Sequence, residues 1–229
     1  MVRDQEPLFA REGLFRQRLN QLRKEGRINQ GPAPDSINRL KELEHGNYLA
    51  NVQSTLSQQD PKEMERITLL DSVTQLYNHS TVTRALTDEL KKSKRYKRNC
   101  SVLVLLVDGL YGIQQSYGYE TADSILKGVA DFVMNEVRDV DIPARYSAEE
   151  LLVVCPETDA KGTAILAERI RTKICLERVS DIGQNWHVTC SIGIASFPDS
   201  AATLEELVEK ARVALNQSID NGGNSVSFA

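Results

Sequence analysis

Two adjacent carboxylates, Glu149 and Glu150, stand in a tight turn within Arg145-Tyr-Ser-Ala-Glu-Glu-Leu-Leu-Val-Val154. A third, Asp108, closes an aliphatic run from Val102 to Val107. Carboxylate oxygens are the ligands that hard divalent cations take. A second constellation, Arg138-Asp-Val-Asp141, sets a guanidinium and a carboxylate three residues apart after a helical stretch. A guanidinium fork pairs bidentately with a phosphate or a purine edge, and a carboxylate accepts from ring N–H groups. As a bare pattern this second spacing arises often by chance, and a solvated helix end with Arg138 favoured by the helix dipole explains it equally. His45, His79 and His187 share no spacing with acids or cysteines, so they define no metal site. Cys100, Cys155, Cys175 and Cys190 lie far apart, mostly in or beside apolar runs, and read as buried free thiols.

The elements that must position these groups follow from periodicity. Leu86 and Leu90 predict a helix from about His79 to Tyr96. Ser101 to Asp108 carries six aliphatic residues in a row, the pattern of a central strand covered on both faces. Ile125, Val129, Phe132 and Val133 predict a helix over Thr121 to Val137. The hairpin around Ser147 comes next. Then follow a helix over Ala160 to Leu176, a strand over Val188 to Ala195, a helix over Leu204 to Ile219 and a short strand over Ser225 to Phe228. Alternating helices and strands with one hairpin predict an α/β (α+β) fold, a mixed central β-sheet flanked by helices. Trp186, beside His187, reads as a packing residue at a strand edge.

Residues 1–66 differ in kind. They are rich in Arg, Glu, Gln and Asn, with Phe15, Leu19 and Leu22 at helical spacing and a break at Gly31-Pro-Ala-Pro-Asp35. A second helix carries Ile37, Leu40 and Leu43, then Leu49, Val52 and Leu56. A helical N-terminal extension is expected over 1–66, either a hairpin or dimerising helices, with the main domain over 67–229.

The bulk numbers close off several classes. A net charge of −4 over 229 residues gives no footprint for nucleic acid. The longest aliphatic run is too short to span a bilayer, so no integral membrane segment is expected. Met1 to Ala10 has no long apolar stretch, and a cytoplasmic location is expected. The densest charge run, Lys91 to Arg98, reads as a solvated helix end, with docking to an acidic partner or a membrane surface as the alternative.

Several segments in order resemble the GGDEF family, the enzymes that join two GTP molecules into cyclic di-GMP. Asp71-Ser-Val-Thr-Gln-Leu-Tyr-Asn78 is similar to the family's Asp-x-Leu-Thr-Gly-Leu-x-Asn. Gly118 followed by Asp123 falls on Gly-His-x-x-Gly-Asp, and Thr189-Cys-Ser-Ile-Gly-Ile-Ala195 on Thr-x-Ser-Ile-Gly-Val-Ala. Ala167-Glu-Arg-Ile-Arg171 matches the helix between, and Ser147-Ala-Glu-Glu-Leu151 stands at the signature hairpin. The resemblance covers roughly Ile67 to Phe228 and implies a fold like that of adenylyl cyclases and polymerase palm domains.

The same resemblance implies a changed catalytic site. The family's reaction, attack of one GTP's 3′-hydroxyl on another's α-phosphate, uses two divalent ions held by a strand Asp and the first acidic residue of the hairpin, which falls on Glu149. The strand position falls on Leu106, which cannot ligate a metal, leaving Asp108, Glu149 and Glu150 as remnants. The hairpin glycines are Ser147 and Ala148; a left-handed conformation would cost each roughly 1 kcal/mol, unless the turn is of another type with Ser147 bonded to its own backbone. The family's phosphate-gripping cations fall on Tyr111, Ile219 and Gly223. Of the guanine-reading pair, an Asn becomes Gln114 while Asp123 remains, either as a guanine contact or as a solvated helix-start carboxylate; the family's His is Tyr119.

One site is retained. In many family members an Arg-x-x-Asp at this distance from the signature binds the product, and here it is Arg138 and Asp141, with Arg169 on the next helix. The expected function is therefore a catalytically inactive GGDEF-like domain that needs no cofactor or metal and takes cyclic di-GMP as its ligand. A homodimer and an unnamed protein partner are candidates. Two other readings stand beside it: a nucleotide-independent interaction or dimerisation module, and residual GTP binding or cyclase activity through Asp123, Glu149 and Glu150.

Overall fold

A computed structural model of the protein describes residues 69–181 and 184–229. The expectations for the N-terminal 66 residues lie outside the described residues. Helix α1 (His79–Tyr96) starts where the Asn78 side chain accepts from the Thr81 amide at 3.0 Å, which satisfies one of the free N–H groups of the first turn. It buries Val82, Leu86 and Leu90, the spacing that the sequence predicts. Strand β1 (Cys100–Val107) follows, then α2 (Leu110–Tyr117), α3 (Tyr119–Glu136), β2 (Ile142–Arg145) and β3 (Glu150–Pro156). The chain continues through α4 (Ala160–Leu176), the small hairpin β4 (Val179–Asp181) and β5 (Gln184–Trp186), β6 (Cys190–Phe197), α5 (Leu204–Asp220) and β7 (Val226–Phe228).

The five-stranded sheet has the order β2-β3-β1-β6-β7. Only β6 and β7 run parallel; the other neighbours are antiparallel. β1 lies at the centre, which is why its aliphatic run alternates between two buried faces. On one face Leu103, Leu105 and Val107 join Ile125, Val129 and Val133 of α3 and Ile170 and Ile174 of α4 in a single apolar cluster. On the other face α5 crosses β6 so closely that a β-carbon on Gly193 would stand 2.0 Å from the Ala211 carbonyl oxygen. The glycine of Ser-Ile-Gly-Ile-Ala is thus the point where a helix backbone rests on a strand. Side-chain caps also start α4 and α5: Asp159 accepts from the Gly162 amide at 2.8 Å, and Thr203 from the Glu206 amide at 3.2 Å.

Two corrections to the expected elements follow. The strand expected at Val188–Ala195 is Cys190–Phe197, because Thr189 turns its side chain and carbonyl to Asp108 and the ladder begins only at Val107 opposite Cys190. The segment between β1 and α3 is helical as α2, and β4–β5 is an added hairpin; both are too short to leave a periodic signal. Among the described residues the four cysteines are free, with Cys100, Cys155 and Cys190 buried. Burial pushes the Cys100 thiol up to about 12, and raises Cys155 and Cys190 as well, so these thiols stay protonated.

Candidate functional site

The short strand β2 has a charged constellation at each end. At its C-terminal end the chain turns through residues 146–149 into β3. Tyr146 and Ser147 both donate their amides to the Glu150 carbonyl, at 2.9 and 3.3 Å, and the Ser147 hydroxyl accepts from the Glu150 amide at 3.2 Å. The left-handed non-glycine residues among those described are Gln75, Lys97, Glu157 and Asn224. Ser147 and Ala148 therefore sit in a turn that their side chains tolerate, with the serine hydroxyl bonded to the backbone three residues on.

Around this mouth nearly every charge has a partner from inside the chain. Asp108 accepts from the Thr189 hydroxyl at 2.6 Å, the Ser191 hydroxyl at 2.7 Å and the Asn224 amide at 3.0 Å. Gly223 lies against that carboxylate: a β-carbon there would meet it at 3.3 Å. Arg145 reaches Asp71 at 3.4 Å, Asp123 at 3.4 Å and the Ala148 carbonyl at 2.8 Å. Asp123 is one arm of this clamp, and its side chain is still 46% exposed. Glu150 is bonded to Arg212 of α5. Glu149, half-buried, makes no hydrogen bond or ion pair with a described residue. Leu106 stands directly across from Glu150 on β3 and Ser191 on β6. Tyr111 and Tyr119 are 62% and 74% exposed, on α2 and at the start of α3.

At the N-terminal end of β2, α3 runs out at Glu136 and the chain turns through Arg138 to Asp141. The Asp141 side chain folds back: its Oδ2 accepts from the Arg138 amide at 2.8 Å, and the residue is only 6% exposed. Burial raises the Asp141 carboxyl above its ordinary range, and the Arg138 amide bond and the charges of Arg138 and Arg169 oppose that shift. Arg138 itself is exposed, and its guanidinium makes no hydrogen bond or ion pair with a described residue. Arg169 pairs with Glu136 at 2.6 Å and also donates to the Glu136 carbonyl. The three residues picked out together in the sequence are therefore gathered in space, with Asp141 more deeply set than two groups facing one base would require.

Sequence reading did not single out Arg145 or Arg212. Arg145 lies inside the quoted hairpin, but its carboxylate partners are 74 and 22 residues away. Arg212 is 62 residues from Glu150, and nothing local marks it.

Residues 68–225 match the family described as "Diguanylate cyclase, GGDEF domain". The chain belongs to the GGDEF family. It is 31% identical over 140 residues to Diguanylate cyclase A of Treponema denticola, an alignment spanning 61% of this chain and 38% of that protein. It is 28% identical over 162 residues to the response regulator PleD of Caulobacter vibrioides, covering 70% of this chain and 36% of PleD. The chain thus spans well under half the length of these relatives. Among solved structures, the GGDEF domain of DgcB from Caulobacter crescentus in complex with cyclic di-GMP superposes with a TM-score of 0.65 at 24% identity, covering 70% of this chain and 93% of that one. The FimX GGDEF domain of Pseudomonas aeruginosa gives 0.66 at 18% identity, covering 70% and 98%. At these identities the structures establish the fold, a mixed sheet flanked by helices as the sequence predicts.

The donor set at the hairpin mouth does not fit the pair of divalent ions that the family's reaction uses. Leu106 offers no oxygen, Asp108 already accepts from three donors and Glu150 is held by Arg212, which leaves Glu149 as the one unengaged carboxylate of the hairpin. Among the described residues no group of three or more His, Cys, Asp or Glu side chains could hold a metal ion, and no helix is long and apolar enough to cross a membrane.

Proposed function

We propose that this chain is a GGDEF domain that has lost diguanylate cyclase activity and serves as a receptor for cyclic di-GMP at Arg138 and Asp141, with Arg169 beside them. The observation that carries the reading is the contrast across β2: at the mouth Asp108, Arg145 and Glu150 are engaged internally and Glu149 alone is not, while Arg138 stays exposed and unengaged beside a buried carboxylate. The one side-chain hydrogen bond that Asp141 accepts leaves its other oxygen open to a further use. Dinucleotide binding gives that use, with the Arg138 fork on a base or phosphate and the free oxygen of Asp141 on ring N–H groups. The DgcB domain binding cyclic di-GMP supports the choice of ligand. The receptor works in the cytoplasm, as a homodimer or with a protein partner.

Titration calorimetry with cyclic di-GMP on the wild type and on Arg138→Ala tests the site. Heat with the wild type and its loss in the variant are expected; no heat with either removes the proposal. Incubation with GTP and Mg²⁺ tests the inactive assignment, and any cyclic di-GMP formed through Asp123, Glu149 and Glu150 overturns it.

A second reading, a nucleotide-independent interaction or dimerisation module, is favoured by the exposed rings of Tyr111, Tyr117 and Tyr119 on neighbouring helices. Aromatic residues of this kind are enriched in protein interfaces. Thermal denaturation separates the two: ligand at 100 times its Kd adds about 2.7 kcal/mol to a receptor and nothing to a pure interaction module.

A further inference from the structure

On the second half of α4, Arg171 pairs with Glu168 at 2.8 Å and Lys173 with Glu177 at 2.5 Å, partners three and four residues along the chain. Arg169 instead crosses to α3. Its Nε donates to the Glu136 carboxylate at 2.6 Å and its Nη2 to the Glu136 carbonyl. That carbonyl belongs to the last residue of a helix, so it has no partner within α3. The side chains of Arg169 and Glu136 are 54% and 18% exposed, and a pair so open to water contributes little to stability. What it fixes is direction. Both bonds lie along one edge of the planar guanidinium. The outer edge, built from Nη1 and Nη2, keeps N–H groups that no described residue accepts, arranged to match two acceptor atoms side by side. Arg171 and Lys173 already have carboxylates, so neither draws Glu136 away. Glu136 stands two residues before Arg138, and the Arg169 charge is felt at the Asp141 carboxyl. Anchor and site thus belong to one cluster.

We infer that Glu136 is a positioning residue, which sets the Arg169 guanidinium with its outer edge ready for the ligand of Arg138 and Asp141. The inference rests on the proposed receptor reading and deepens it. An arginine that swings freely must be ordered when a ligand binds, and that ordering subtracts from affinity. Glu136 holds the side chain before the ligand arrives. Its role is that of an acceptor and not of a charge, because a carboxylate beside an anionic dinucleotide is by itself repulsive. A neutral acceptor of the same length should therefore serve as well, and a side chain without an acceptor should not. The backbone bond to Arg169 survives either change, but one bond leaves the guanidinium free to turn.

The test is calorimetry with cyclic di-GMP on the full chain carrying Glu136→Gln or Glu136→Ala. Both variants remove the charge, and only glutamine keeps the acceptor. Glu136→Gln is expected to bind at least as tightly as the wild type. Glu136→Ala should bind roughly threefold to tenfold more weakly than Glu136→Gln, the cost of ordering one long side chain. In an Arg169→Ala background the two should bind alike, a convergence that a merely structural role of Glu136 would not give. Equal affinities of the two variants with Arg169 in place overturn the inference, and so does a gap that persists without Arg169. If Glu136→Ala does not fold, Glu136→Met, which keeps the length without the acceptor, takes its place. The receptor reading fails in a different way: no heat from the wild type or from any variant removes it, and the inference with it.

Discussion

The two ends of β2 carry similar side chains in opposite conditions. At the hairpin end, Asp108 takes three hydrogen bonds, Arg145 spans two carboxylates and a carbonyl, and Glu150 is matched by Arg212. At the other end, Asp141 is bound only to the amide that begins its own turn, and Arg138 reaches solvent. Residue type alone does not tell a site from a joint. What differs is whether the chain has already spent each group's bonding capacity on itself.

The largest effect that can break this comparison is at the joint. Asp108→Ala leaves two hydroxyls and an amide without their acceptor and should destabilise the domain by about 3 kcal/mol, read as a lower midpoint in urea, with cyclic di-GMP affinity unchanged. A loss below ~1 kcal/mol would mean Asp108 is not structural. Next comes Arg138→Ala, expected to weaken cyclic di-GMP by about 2 kcal/mol, roughly 30-fold in Kd, while stability moves by no more than ~0.5 kcal/mol. Equal losses of stability and affinity would make the turn another joint.

Asp141→Asn sharpens the contrast through pH. The folded-state carboxyl is raised by burial, so the native protein holds this proton more readily than the unfolded chain. Stability should therefore fall as pH climbs through the interval between the ordinary and the raised pKa, and the cost persists above it. The asparagine variant can still accept from the Arg138 amide. It should lack that slope and be at least as stable at neutral pH, yet bind cyclic di-GMP about tenfold more weakly. Denaturation midpoints across acidic to neutral pH, with calorimetry alongside, check both halves. The smallest effect is expected from Ser147→Gly with Ala148→Gly. The present turn strains neither residue, so stability should change by less than ~1 kcal/mol, and no cyclic di-GMP should form from GTP and Mg²⁺. Product from this variant would show that the mouth had lost only its glycines.

The sheet and its long helices are legible in the sequence because each is written locally. Leu86 and Leu90 mark α1, and the run from Val102 to Val107 suits a strand covered on both faces. α2 and β4–β5 escape the same treatment, since eight- and three-residue elements hold too few apolar positions to set a period. The site was half legible. Leu106, Asp108, Arg138 and Asp141 could be assigned positions through the resemblance to the family's motifs. The fate of Asp108 could not, because its donors come from 81, 83 and 116 residues away. Arg212 was invisible for the same reason: an ion pair between a hairpin and a distant helix leaves no trace in either segment.

The turn at Arg138–Asp141 closes on itself, through one side chain and one amide of the same short stretch. The hairpin mouth is assembled from partners on β6, α5 and the segment before α1. A loop transplanted into another scaffold would carry the first arrangement with it and leave the second behind. The portable feature is thus the one proposed to meet the dinucleotide, and the feature that cannot travel is the one the domain needs in order to stand.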